Sequence, residues 1–238
     1  MGNNAVKEHC ETAKKTGVFK LSQKRLSEFP DVLYGIKSHL RILDLSENRL
    51  NSLPTDIGTF EKLKHLKVNK NKLGLLPESL GHLQKLESLS VCDNEIRGLP
   101  QSLSNLTHLK KVNLSGNLLT VFPIVFKNLK SLDVLDLSRN KIVSIPDDVS
   151  QIYAVELILN QNQISTLSQE IAKCPRLKTL RLEENCLQLS AIPPQLFIDS
   201  NISVLTLEGN LFEMKSLTQI EGYEHYMDRY TAMKKKMF

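Results

Sequence analysis

An α/β solenoid, with about nine short parallel strands and a capping segment at each end, is the fold this sequence predicts. Three observations carry the prediction. A stretch of 23 residues recurs along most of the 238-residue chain. Within each copy the apolar residues alternate, as a strand requires. Each copy closes that alternation on an asparagine.

The copies read LRILDLSENRLNSLP, LKHLKVNKNKLGLLP, LESLSVCDNEIRGLP, LKKVNLSGNLLTVFP and LDVLDLSRNKIVSIP. Weaker ones follow in AVELILNQNQISTLS, LKTLRLEENCLQLS and ISVLTLEGNLF, and a first copy without the asparagine is TGVFKLSQKRLSEFP. The asparagines fall at Asn48, Asn71, Asn94, Asn117, Asn140, Asn162, Asn185 and Asn210, spaced 23, 23, 23, 23, 22, 23 and 25 residues apart. Eight matches in register to LxxLxLxxNxL define a leucine-rich repeat, and hence a horseshoe with a parallel β-sheet on its concave side.

Each element follows from residue chemistry. In LxLxx the leucines point to one side and the intervening residues to the other, which gives one short strand per repeat. The asparagine stands where the chain leaves the strand. Its amide has both donors and acceptors, so it can satisfy backbone groups that the turn would leave buried and unpaired. The proline after LxxLP starts an outer segment, and PESLGHLQKL and PQSLSNLTHL carry apolar residues every three positions. That spacing suits a turn of helix or 3₁₀ structure on the convex side. One repeat cannot bury its own apolar face, so the copies must stack as a single domain.

The expected organisation is a cap over residues 1–15, about nine repeats over 16–212, and a helical cap with a basic tail over 213–238. Ala5, Val6, His9, Cys10 and Ala13 fall near helical spacing at the start. Tyr223, Tyr226 and Tyr230, three and four residues apart, share one face of a helix that seals the last repeat. A helix that docks on a partner is the other reading of that segment.

The bulk numbers exclude several classes. The apolar share is 41% and the charged share 24%, as in globular proteins. No run approaches the 18 apolar residues of a membrane span. The N-terminus lacks the apolar core of a secretory signal. Cys10, Cys92, Cys174 and Cys186 are scattered, without metal-ligand or disulfide spacing, so reduced thiols in the cytosol are expected. The sequons at Asn105, Asn113 and Asn201 are then without consequence. The net charge of +5 is spread along the chain, which argues against nucleic acid. The sole tight basic run is Lys234 to Lys236.

Nothing resembles a catalytic centre. The six histidines occupy different repeat positions. There is no GxxxxGK[ST], HExxH or GxSxG motif, and neither a metal nor a cofactor is expected. Glu183 with Glu184 and Asp147 with Asp148 read as solvated neighbours. Function is expected on the concave face instead, where Lys20, Asp44, Lys67, Asn113, Asp136, Ile158 and Arg181 project between the strand leucines. Their mixed polarity suits a protein partner, with alternating signs in the Lys20, Asp44, Lys67 column pairing across rungs. An exposed Ile158 flanked by Asp136 and Arg181 is the expected hot spot.

Beyond the repeat itself, MGN, TAKKTGVF, PRLKTLRLEENCL, EGNLFE, EGYEHYM and TAMKKKMF resemble a cytosolic leucine-rich repeat family from the first residue to the last. That resemblance implies no enzymatic activity and N-myristoylation on Gly2. More distantly, the 23-residue repeat looks like that of Ras-suppressor-type scaffolds. The residues of MGNNAVKEH depart from the strict myristoylation pattern, which wants Ser or Thr where Val6 stands. Small residues at 3–5 and Lys7 remain compatible with an acceptor. One myristoyl chain binds membranes only with K around 10⁴ M⁻¹, so reversible peripheral membrane association of a cytoplasmic monomer is expected. The function implied is a non-catalytic adaptor or scaffold. The alternative is a regulatory subunit that recruits or inhibits a phosphatase, GTPase or ligase.

Overall fold

A computed structural model describes residues 3–236, with side chains from residue 9 onward. The chain divides into two compact units, residues 1–118 and 119–238.

The first unit opens with helix α1, Asn3–Thr16. Cys10 and Ala13 are its buried residues among those described, and their spacing of three puts them on one face. The helix ends at Gly17, whose φ of +74° lets its N–H reach back to Ala13 O at 2.8 Å. The chain then enters β1, Val18–Lys20. Strands β2 (Ile42–Asp44), β3 (His65–Lys67), β4 (Ser88–Ser90) and β5 (Lys111–Asn113) follow, each paired in parallel with the one before. The register aligns Phe19, Leu43, Leu66, Leu89 and Val112. These five are at most 1% exposed, so the inward side of every strand is core. Phe29, Tyr34 and Phe60 make an aromatic cluster, with ring centroids 5.8–6.1 Å apart.

The second unit repeats the arrangement. Its ladder is β6 (Val134–Asp136), β8 (Glu156–Ile158), β10 (Thr179–Arg181) and β11 (Val204–Thr206), all parallel. The nine parallel strands of the predicted solenoid are thus present, five in one unit and four in the other. A second, two-stranded sheet that the sequence did not announce pairs β7 (Ser144–Ile145) with β9 (Thr166–Leu167). It forms where IVSIP and ISTLS leave their asparagine turns.

The outer segments are 3₁₀ helices rather than α-helices, as at Glu78–His82 and Gln101–Asn105. Pro77 and Pro100 precede these two in extended conformation, which Pro disfavours leaving. Gly81 is required by close approach: a Cβ there would sit 2.5 Å from Ser102 O.

The first unit is capped by α1, and the second closes in a cap of its own. Helix α2 (Gln195–Ile198) and helix α3 (Tyr223–Lys235) close the second. Tyr223 and Tyr226 pack edge-on to Phe197 at 5.6 and 5.9 Å. Tyr226 is buried, so the shared tyrosine face seals the last repeat. Arg229, which the sequence did not single out, donates to Ile202 O at 2.9 Å and Phe197 O at 2.8 Å. Lys234 lies 4.6 Å from the centre of the Tyr230 ring, so the basic run is partly held by its own helix.

Candidate functional site

The asparagines set the geometry of the ladder face. Asn94 Nδ2 donates to Val68 O (3.0 Å), Val91 O (3.0 Å) and Cys92 O (3.2 Å), while its Oδ1 accepts from Leu73 N (3.0 Å). Asn71 and Asn185 make the same four bonds. Asn48, Asn71, Asn94, Asn117, Asn140, Asn162 and Asn185 are all buried, and Asn210 is half-buried. A buried amide with all its groups satisfied fixes the turn after the strand and so the direction of every neighbouring side chain.

The residue just before each asparagine has a left-handed backbone. Glu47, Lys70, Asp93, Arg139, Gln161 and Glu184 have φ between 50° and 57°, and Gln23 (φ 58°) has the same turn ahead of Lys24 in the copy without the asparagine. Gly116 and Gly209 occupy the same place. This column, which reads as a row of surface charges, is therefore first a turn position. It also carries hydrogen bonds between rungs, from Gln23 to Glu47 at 2.8 Å and from Gln161 to Glu184 at 3.0 Å.

The strand register places the predicted contact residues. In the first unit Lys20, Asp44 and Lys67 stand side by side, with Ser90 and Asn113 continuing the row. In the second unit Asp136 and Arg181 flank Ile158 on either side. Two details differ from expectation. Ile158 is half-buried, not exposed, because rungs about 4.8 Å away on both sides cover a β-branched side chain. Among the described residues Asp44 pairs with neither lysine. Its Oδ1 accepts from Ser46 N at 3.0 Å. Asn113 and Asp136 do the same with Ser115 and Ser138. The carboxylate or amide lies nearer its own turn than the next rung, so DLS and NLS stabilise the strand exit locally. Arg181 instead donates to Glu156 at 2.9 Å.

The ionic pairing lies one column over. Glu87 accepts from Lys64 at 2.8 Å and Lys110 at 2.9 Å. These two ammonium groups hold the Glu87 carboxyl down to a pKa of about 2. Beside them opens a cleft of about 460 Å³, lined among others by Lys20, Ile42, His65, Lys67 and Lys111. The position directly after the first leucine of LxxL, in LKHL, LESL and LKKV, carries the signal for this cleft in the sequence. The column of Lys20, Asp44 and Lys67 alone does not show it. The second unit's ladder face mixes Asp133, Asp136, Glu156, Glu183 and Glu184 with Arg139, Lys178 and Arg181.

Among the described residues no group of three or more His, Cys, Asp or Glu could hold a metal ion, and no helix is long and apolar enough to cross a membrane. Gly2 lies outside the described residues.

Comparison with known proteins agrees with the geometry. A leucine-rich repeat region model matches residues 32–117, and a leucine-rich repeat model matches 108–129 and 131–152. This chain is a leucine-rich repeat protein. A curated leucine-rich repeat relative from Arabidopsis thaliana, which also has a ubiquitin-like domain, is 35% identical over 60 residues, or 25% of this chain and 16% of the relative. Among solved structures, a leucine-rich repeat protein of Leptospira interrogans is 27% identical with a TM-score of 0.67, covering 88% of this chain and 61% of that one. The Toll–Spätzle complex of Drosophila gives 27% and 0.70, covering 82% and 27%. The leucine-rich repeat ectodomain of an Arabidopsis thaliana receptor kinase, in complex with Casparian strip integrity factor 2, gives 26% and 0.61, covering 83% and 28%. The chain thus spans less than two thirds of each of these relatives. Two of these three structures are complexes.

Proposed function

We propose that this leucine-rich repeat chain is a non-catalytic interaction module, an adaptor or scaffold that captures a protein partner on its ladder face. The observation that carries the reading is the register itself. It presents a row of polar side chains on a rigid parallel ladder, fixed by buried asparagines, with the half-buried Ile158 between Asp136 and Arg181. Pre-organised side chains lose little entropy on binding. The complexes formed by similar arrays support a protein or peptide as the partner. Membership of the cytosolic family with 23-residue repeats rests on the stretches from TAKKTGVF to TAMKKKMF, and reversible tethering through myristate on Gly2 rests on that resemblance and on MGNNAVKEH; both belong to the same proposal.

Two measurements test it. Partner capture is compared between the native chain and a variant carrying Asp136→Ala, Ile158→Ala and Arg181→Ala. Undiminished capture removes those residues from the interface. Intact mass from eukaryotic cells is compared with Gly2→Ala, with membrane fractionation of both. A myristoyl increment and membrane association lost together in the variant support the tether, and an unmodified terminus rejects it.

A further inference from the structure

The cleft on the first unit's ladder face has a composition that its centre column conceals. Lys20, Lys67, Lys110 and Lys111 line it, against the carboxylates of Asp44 and Glu87. Both carboxylates are already engaged. Glu87 is held by Lys64 and Lys110, and Asp44 accepts the Ser46 N–H. Lys20, Lys67 and Lys111 are exposed, and among the described residues none of them forms an ion pair. Ile42, half-buried, supplies an apolar wall beside them.

We propose that this cleft binds an acidic linear segment of a protein partner, laid across strands β1 to β5. The proposal rests on the interaction-module reading above and names the chemistry of the partner. Three ammonium groups outside any ion pair among the described residues, against the single remaining charge of Asp44, supply the complementary charge. Four gaps of about 4.8 Å place β1 and β5 roughly 19 Å apart, a span that an extended peptide crosses in about six residues. The interleaved Asp44 and Glu87 carboxylates each keep acceptor lone pairs beyond the bonds they already make, which the N–H groups of a peptide can use. They repel a polymer that carries a phosphate at every unit. The apolar wall of Ile42 fits a side chain between acidic residues and offers nothing to a phosphate.

The test uses the full chain and fluorescein-labelled peptides of about ten residues, alternating Ser with Glu, Gln or Lys. Binding is read by anisotropy at low and moderate salt. The Glu peptide should bind best and weaken roughly tenfold or more as salt rises. A variant with Lys20→Glu, Lys67→Glu and Lys111→Glu should lose the Glu peptide and gain the Lys peptide. That gain also shows the variant is folded. Lys178→Glu, on the other unit, should change neither. Equal binding of the Gln peptide, or indifference to the three reversals, overturns the proposal and leaves the interaction-module reading standing. Displacement of the Glu peptide by single-stranded DNA, or by phosphatidylserine vesicles at matched charge, overturns it in favour of unselective anion binding. If no peptide binds, the cleft is not the site. The broader reading then falls as well only if partner capture is also unaffected by the Asp136, Ile158 and Arg181 substitutions.

Discussion

The phenol of Tyr226 sits over the last strand of its unit, where it accepts the Leu205 N–H at 3.2 Å and donates to the Leu205 carbonyl at 3.4 Å. One hydroxyl thus occupies both backbone groups at the middle of β11, a place where a further strand would otherwise pair. Tyr226→Phe keeps the ring on Phe197 and removes only these bonds. It should cost about 1 kcal/mol, seen as a lower urea midpoint. Hydrogen exchange at Leu205 should quicken while that at β6 is unchanged.

Asn94→Ala should cost roughly 1–3 kcal/mol, because it orphans buried carbonyls and the Leu73 N–H. Asn94→Asp should be no better. The carboxylate keeps the acceptor for Leu73 but faces three carbonyl oxygens with no donor. Urea unfolding of both variants checks this, and an Asp variant as stable as the native chain would refute the bonding scheme.

Left-handed backbone costs a residue with a side chain about 1–2 kcal/mol. Lys70, at φ +50°, bears that cost. Lys70→Gly should therefore be neutral or stabilising by up to about 1 kcal/mol, despite the flexibility glycine adds. Gly209→Ala should do the reverse, since φ is +78° and the new Cβ would stand 3.0 Å from Glu184 Cγ. Thermal midpoints moving in the same direction would contradict the shared turn.

Glu87 links the cleft to pH. Its folded pKa of about 2 lies below the ordinary 4.5. A depressed carboxylate contributes stability that is fully present above about pH 4.5 and is lost as pH falls toward 2. Glu87→Gln should flatten the stability profile across that window and leave the variant less stable than the native chain by a pH-independent amount near pH 7 to 9. Chemical denaturation at a series of pH values reads this directly.

The cysteines should react in order of access. Cys186 is exposed, whereas Cys174 is buried, with its thiol pushed up to about 12 by desolvation. Iodoacetamide should label Cys186 in the native protein and Cys174 only on unfolding. Mass spectrometry of digested protein distinguishes the two.

The repeat, the strand alternation and the asparagine turn could all be read from the sequence, because each is a residue type recurring at fixed spacing. What escaped reading lacks such a mark. The left-handed turn residue is Gln, Glu, Lys, Asp or Arg in seven repeats, and only Gly116 and Gly209 declare it. Arg229 works by reaching carbonyls about thirty residues earlier, a relation that no local pattern contains. Ile158 looks exposed in a single column and is half-buried once two neighbouring rungs stand beside it. The cleft arises from three columns at once, so the alternation of Lys20, Asp44 and Lys67 hid the unpaired charge.

The side-chain bonds of the turn asparagines all run one way. Asn71 takes Leu45, Val68, Asn69 and Leu50, and Asn94 takes Val68, Val91, Cys92 and Leu73. Every one of these partners is earlier in the chain. During synthesis from the N-terminus, each asparagine amide meets all its own partners as soon as it clears the ribosome, and only the backbone bonds to the next repeat wait to be translated. The array can therefore grow by addition behind the α1 cap, and a nascent chain halted between repeats exposes one unfinished edge instead of an unfolded whole.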